Sequence, residues 1–283
     1  MSRLKVESLF IYPIKGVRGL GVERAALEAR GFENDRRWLA TDEEGKFFTQ
    51  RDCDALARIK ARPVSGGLHL STDDDPEGVT AVIGSEGERR AVTVWIDNVD
   101  AIAADAEAAG WLSRALGRKA RLFFMDDVSA RSAPAQWAAD QPVSFADGLP
   151  LLIATTASLE ALNREIAGAG ETPVEMARFR PNIVVSGADA WEEDRWRALR
   201  IGETLVELVK PCERCVVTTK NPKTGVSLGK EPLASLARIR RSADRRVNGV
   251  LFGWNAVGRK LGSIAVGDKV EIAEARPEGW PIA

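Results

Sequence analysis

The sequence predicts a β-rich α+β fold in two units. Three observations carry that reading. Short strand signals fill the N-terminal third, a patternless Ser/Ala-rich stretch interrupts the chain from Asp126 to Asp140, and strand signals return after it around two helical patterns. A chain of 283 residues is near twice the usual domain size of about 150.

In the first unit, Leu4 to Tyr12 alternates apolar with polar, Arg37 to Ala40 is compact and apolar, and Val79 to Ile83 and Val92 to Ile96 are rich in β-branched residues. Asp42-Glu43-Glu44-Gly45 reads as a hairpin loop between Trp38-Leu39-Ala40 and Phe47-Phe48-Thr49, and Asp73 to Gly78 as a solvated turn. The period changes to that of a helix over Ala101 to Leu116, with Gly117 as its stop, and a strand follows from Ala120 to Met125. The second unit opens with a strand at Leu151-Leu152-Ile153. A helix follows near Ser158 to Ile166, with Leu159, Leu162 and Ile166 on one face, ended by Gly168 and Gly170. Asn182 to Ser186, Leu199 to Ile201, Thr204 to Val209 and Cys215 to Thr218 read as strands. A short helix over Leu233 to Ile239 and closing strands near Leu251 and Lys269 to Ile272 complete a pattern that suggests a β-barrel.

Composition narrows the function. Forty Lys and Arg against 41 Asp and Glu leave a net charge of −1, so no global field draws the chain to nucleic acid or acidic lipid. No apolar run reaches the roughly 18 residues of a membrane span, and Met1-Ser2-Arg3-Leu4-Lys5 enters a strand-like segment with no signal-peptide core, which points to a cytoplasmic protein. Three Cys argue against a disulfide scaffold, and the single histidine, His69, excludes a His-rich metal centre. His69, in Leu68-His69-Leu70, and Cys53 read as ordinary structure.

The sharpest local signal is Lys210-Pro211-Cys212-Glu213-Arg214-Cys215, followed by Thr218-Thr219 and Asn221-Pro222. Two thiols three apart beside an Arg fit a dithiol redox pair, half of a zinc site, one thiolate on a soft metal, or two packed structural thiols. A closed zinc site needs two more ligands, and only Cys53 and His69 remain. The β-branched Val216 to Thr219 favour a strand rather than the helix that follows a thioredoxin-type pair. Three cationic segments also sit at strand ends: Tyr12-Pro13-Ile14-Lys15-Gly16, Asp35-Arg36-Arg37-Trp38 and Phe179-Arg180-Pro181-Asn182. If Lys15, Arg36 and Arg180 converge on the Cys loop, the site combines several positive charges with a thiolate. That is the chemistry of an anionic, phosphate-bearing cofactor bound to a soft metal.

These motifs resemble the MOSC-domain superfamily, in particular the group containing the mitochondrial amidoxime-reducing component and its bacterial relatives. The resemblance spans nearly the whole chain. It implies an N-terminal β-rich MOSC-associated region over 1–120 packed with a MOSC β-barrel over 130–275. It further implies Cys215 as molybdenum ligand and catalytic residue, Cys212 in support, and the molybdenum cofactor, molybdopterin with Mo, held by Lys15, Gly16, Arg36, Arg180, Asn182, Glu213 and Arg214. Asp147, in Asp147-Gly148-Leu149-Pro150, and Asn255, in Phe252-Gly253-Trp254-Asn255, complete the expected contacts. Two departures stand out: Gly16 replaces a family Ser, losing a hydroxyl but offering a backbone N–H, and Gly148 and Leu149 replace hydroxyl residues. The activity implied is two-electron reduction of a small N-hydroxylated substrate by a monomer. With three Cys the chain cannot build an iron–sulfur cluster, so electrons come from a separate donor protein carrying flavin, haem or iron–sulfur. The alternative is a sulfur-carrier or cofactor-sulfuration protein using the Cys215 thiolate, although sulfurases normally carry a pyridoxal-phosphate domain for which 283 residues leave no room. A third reading is a non-enzymatic cofactor-storage or binding protein. Two smaller expectations are Trp254 as a pocket wall and the run from Arg238 to Arg246 as a basic patch that docks the donor.

Overall fold

The computed structural model describes residues 3–83 and 87–283; Met1 and Ser2, at the start of the expected opening strand, lie outside them. An eight-stranded sheet dominates, in the order Val270–Ala275, Trp196–Ile201, Thr204–Glu213, Leu251–Lys260, Leu151–Thr155, Ile183–Ser186, Lys5–Ile11 and Leu20–Val22. Its apolar face forms a core of Leu9, Ile11, Leu151, Ile153, Ile183, Leu199, Val206 and Trp254. The fold is β-rich, with four short α-helices among the described residues.

The first strand belongs to this C-terminal sheet, pairing antiparallel with Ile183–Ser186. Its register slips between Val6 and Ser8. That one-residue bulge reverses the alternation, so Val6 and Leu9, three apart, both reach the core. Leu151–Thr155 and Ile183–Ser186 run parallel, and the helix Thr156–Gly168 between them makes the crossover such a pair requires. Thr155 caps that helix through its hydroxyl, which accepts the Ser158 N–H.

The N-terminal part adds three smaller sheets. Trp38–Thr41, Arg121–Phe124, Asp97–Ala103 and Arg89–Val94 form one; Lys60–Val64, Gly67–Ser71 and Val79–Val82 a second; and Gly262–Ala265, Arg24–Glu28 and Gly31–Phe32 a third. The helix beside them runs from Ala106 to Leu116, not from Ala101. Ala101 and Ile102 instead pair with Arg90 and Arg89, and helix begins only where the Asp105 carboxylate accepts the Ala108 N–H. Gly117, left-handed at φ 65°, ends it as expected. The strand expected over Cys215 to Thr218 is a 3-10 turn, Val216–Thr219. Thr218 and Thr219 turn their hydroxyls back onto the Cys215 and Val216 carbonyls, a local bond that overrides their β-propensity. Among the described residues no helix is long and apolar enough to cross a membrane.

Candidate active site

A cleft of about 410 Å³ opens where the N-terminal sheets meet the large one, and all ten residues singled out as cofactor contacts line it. Each is placed by a strand end or a turn. Lys15 follows Ile14, which bridges to Trp38, and its own N–H donates to the Trp38 carbonyl at 3.0 Å. Gly16 is left-handed at φ 84°, a conformation only glycine adopts freely, so the replacement of a hydroxyl residue there keeps the turn unstrained.

Arg36 and Arg180 both have positive φ, 51° and 56°, unusual for residues bearing a Cβ. Such strain collects at functional sites. Behind Arg36, the fully buried Asp35 carboxylate accepts hydrogen bonds from Arg36 Nη1 (2.6 Å), the Tyr12 N–H (2.8 Å) and Asn182 Nδ2 (3.1 Å). Burial raises the Asp35 carboxyl above the usual carboxylate range, with these donors opposing it. Asn182 reaches both halves of the network, its Oδ1 accepting from Arg36 Nη1 and from the Leu152 N–H. Arg180 donates through Nη1 to the Val17 carbonyl, and burial lowers its pKa to about 10.

Lys15 and Asp147 form the other wall. Nζ donates to Asp147 Oδ1 at 2.5 Å, and the indole N–H of Trp95 reaches the same oxygen at 3.3 Å. Lys15 is buried and Asp147 faces the open cleft, their side chains 9% and 83% exposed. The Lys15 charge holds the Asp147 carboxyl far below its usual range, whereas burial lowers the Lys15 ammonium despite the carboxylate. The Asp147 loop is held by Arg131, whose guanidinium donates to the carbonyls of Ser144, Ala146 and Asp147.

The two thiols differ. Cys212, on the strand Thr204–Glu213, accepts from Arg214 Nη1 at 2.9 Å, while Arg214 Nη2 donates to the Phe179 carbonyl. Cys215 caps the following turn through its carbonyl, and its thiol makes no hydrogen bond among the described residues. Glu213 is tied to Lys210 Nζ (2.7 Å) and the Asn248 N–H (3.0 Å). Asn255 lies opposite Lys210 in the adjoining strand.

One expectation fails, and a second needs narrowing. Trp254 is 1% exposed and points into the core, its indole N–H bonded to Asp194, so Trp95 and Trp137 wall the cleft in its place. The run from Arg238 to Arg246 is not a continuous basic face. Arg240 is buried against Asp194 at 2.7 Å, Arg238 pairs with Glu165 and Arg246 with Asp244, while Arg241 and Arg245 are exposed with no ion pair among the described residues. Sequence reasoning also missed Asp35 as the anchor of Arg36 and Arg131 as the anchor of the Asp147 loop.

The lining is strongly cationic, with seven Lys and Arg side chains against the carboxylates of Asp147 and Glu213. Arg214 Nε is buried with no partner among the described residues. An orphaned cationic donor beside a cleft fits an anionic ligand that would complete its hydrogen bonding. Among the described residues no three His, Cys, Asp or Glu side chains cluster to hold a metal, so an ion bound at Cys215 would take its other ligands from outside the chain.

Comparison with known proteins agrees with this layout. Residues 3–119 match the MOSC N-terminal beta barrel domain and residues 140–271 the MOSC domain. The chain belongs to the MOSC family. Its relatives include the mitochondrial amidoxime-reducing component 1 of Xenopus laevis, 32% identical over 94% of this chain and 81% of that protein. The human mitochondrial amidoxime-reducing component 1 is 33% identical over 94% and 82%. A molybdenum cofactor sulfurase of Oryza sativa subsp. japonica is 28% identical over 91% of this chain, which spans 33% of that longer protein. The MOSC match thus covers both walls of the cleft, from Lys15 and Arg36 on one side to Cys215 and Asn255 on the other.

Proposed function

We propose that this MOSC protein is a molybdenum-cofactor-dependent reductase of N-hydroxylated compounds, with Cys215 as the protein's ligand to molybdenum. The observation that carries the reading is the meeting, in one cleft, of a thiol with no hydrogen bond among the described residues and three guanidinia, Arg36, Arg180 and Arg214, whose donors are only partly used there. Relatives at 32–33% identity named as amidoxime-reducing components support the reaction class.

Lys15, Arg36, Arg180 and Arg214 would hold the anionic organic part of the cofactor, with the Gly16 and Asn182 region shaping its seat. When bound, the cofactor would supply the two-electron redox chemistry that reduction of an N–O bond requires. The overall change is cleavage of that bond by two electrons and two protons, releasing the amine-level product and water. Trp95 and Trp137 give the open side of the cleft flat apolar walls for a small organic substrate. Asp147, kept ionised by Lys15, would hold a water through which protons reach the substrate. Electrons arrive from a separate donor protein at the cleft mouth, and the setting is cytoplasmic.

Purified from a host that makes molybdopterin, the protein is expected to carry about one molybdenum per chain and to reduce benzamidoxime with a reduced viologen. Cys215→Ala should abolish turnover. Molybdenum without turnover in the unaltered protein favours the carrier or sulfuration reading, and full activity in Cys215→Ala refutes the ligand assignment.

A further inference from the structure

Tyr12 packs against two of the cleft cations, Arg36 and Arg180. Its ring is buried, with the guanidinium carbons of Arg36 and Arg180 at 4.4 and 4.2 Å from its centroid. Its hydroxyl donates to the Pro181 carbonyl at 3.0 Å, its N–H to Asp35, and its carbonyl accepts the Arg36 N–H at 2.8 Å. Burial pushes the phenol up to about 12, so the ring stays neutral and presents an uncharged face to both cations. Each guanidinium engages only its Nη1 in hydrogen bonds among the described residues, Arg36 to Asp35 and Asn182 and Arg180 to Val17. The remaining donors of both are uncommitted.

Gly19 fixes the ring from another side. A Cβ at that position would lie 2.6 Å from Tyr12 Cε1, closer than atoms pack, so only glycine lets the ring sit where it does. Gly19 has no positive φ to explain it, which leaves the close approach to Tyr12 as its physical requirement.

We propose that Tyr12, seated against Gly19, is a positioning residue that holds the Arg36 and Arg180 guanidinia as one preformed clamp for the phosphate of the cofactor. Two like charges sharing a buried site repel. A neutral ring spanning both offsets part of that cost by cation–π attraction and restricts the rotamers available to each. The clamp therefore exists before an anion enters. The proposal rests on reading the cleft as a molybdopterin site.

The test is cofactor retention, read without turnover. Proteins purified from a molybdopterin-producing host are compared for molybdenum by elemental mass spectrometry and for pterin by fluorescence of its oxidised form, after washes of rising KCl. Tyr12→Phe, which keeps the ring, should match the unaltered protein within about two-fold. Tyr12→Leu and Gly19→Ala should retain about ten-fold less and lose the cofactor at lower salt. Circular dichroism monitors folding. If Tyr12→Leu does not fold, Gly19→Ala decides, because it keeps the phenol and only displaces it. Full retention in Gly19→Ala and Tyr12→Leu overturns the clamp, as does loss in Tyr12→Phe equal to that in Tyr12→Leu. An unaltered protein free of pterin overturns the underlying reading instead.

Discussion

Glu193 offers a quantitative test of how this fold tolerates buried charge. It lies in the 3-10 turn Glu192–Arg195 and is 1% exposed. Oε2 lies 2.8 Å from the Ser158 hydroxyl and 3.1 Å from that of Thr155, while Oε1 has no partner among the described residues. Burial raises its pKa from 4.5 to about 7, against the Ser158 hydrogen bond. Between those values the native state holds a proton that the unfolded chain has released, so stability declines as pH rises through the window. The contribution is fully present below pH 4.5 and lost above about 7. At about 1.36 kcal/mol per pH unit, the full span is worth about 3 kcal/mol. Glu193→Gln mimics the protonated form at every pH. Urea unfolding from pH 5 to 8 should therefore show the variant gaining about 3 kcal/mol on the unaltered protein as pH rises, with the two nearly equal at the acid end. A difference that stays within about 0.5 kcal/mol across the range would show that Glu193 ionises normally in the folded chain.

Arg240→Ala should cost about 3–5 kcal/mol, seen as a lowered thermal midpoint, because Asp194 is left buried with the Trp254 indole as its chief donor. Arg241→Glu, on the exposed next residue, should change stability by no more than about 0.5 kcal/mol. Lys15→Gln should raise the Asp147 pKa toward the ordinary carboxylate value, followed by carbon NMR of the carboxyl group, and should lower molybdenum content; an unmoved titration would refute the pairing. Asp105→Ala should cost about 1–2 kcal/mol, since one carboxylate caps the helix at Ala108 and binds the Val82 N–H. Denaturant melts would check that figure.

Strand and helix identity was legible wherever one local pattern dominated. Leu233–Ile239 and Gly117 appear where periodicity and turn chemistry put them. Legibility failed where a side chain's partner lies far along the chain. The helical pattern from Ala101 looked continuous because alanines suit both states, and pairing with Arg89 and Arg90 made the first residues strand. Val216 to Thr219 have strand propensity, but hydroxyl-to-carbonyl bonds curl them into a turn. In the cleft, the cations at strand ends were readable because each sits beside a Pro or a turn. Asp35, by contrast, looked like one more charged residue, and only its buried bonds to Tyr12 and Asn182 reveal it as the anchor of Arg36. Trp254 illustrates the opposite error: adjacency to Asn255 in sequence means opposite faces on a strand, one toward the cleft and one toward the core. The run of arginines from 238 read as one patch because sequence shows neither Asp194 nor Glu165 beside it.

The pairing of Lys5–Ile11 with Ile183–Ser186 has a temporal consequence. During synthesis the opening strand must wait for more than half the polypeptide to emerge before its neighbour exists, and contacts so distant close slowly. Tyr12, just beyond that strand, meets Arg180, which directly precedes the partner strand, only at that stage. The cleft is therefore complete only once its last lining residue, Asn255, has emerged, and an anionic ligand that uses the whole cleft binds after that point.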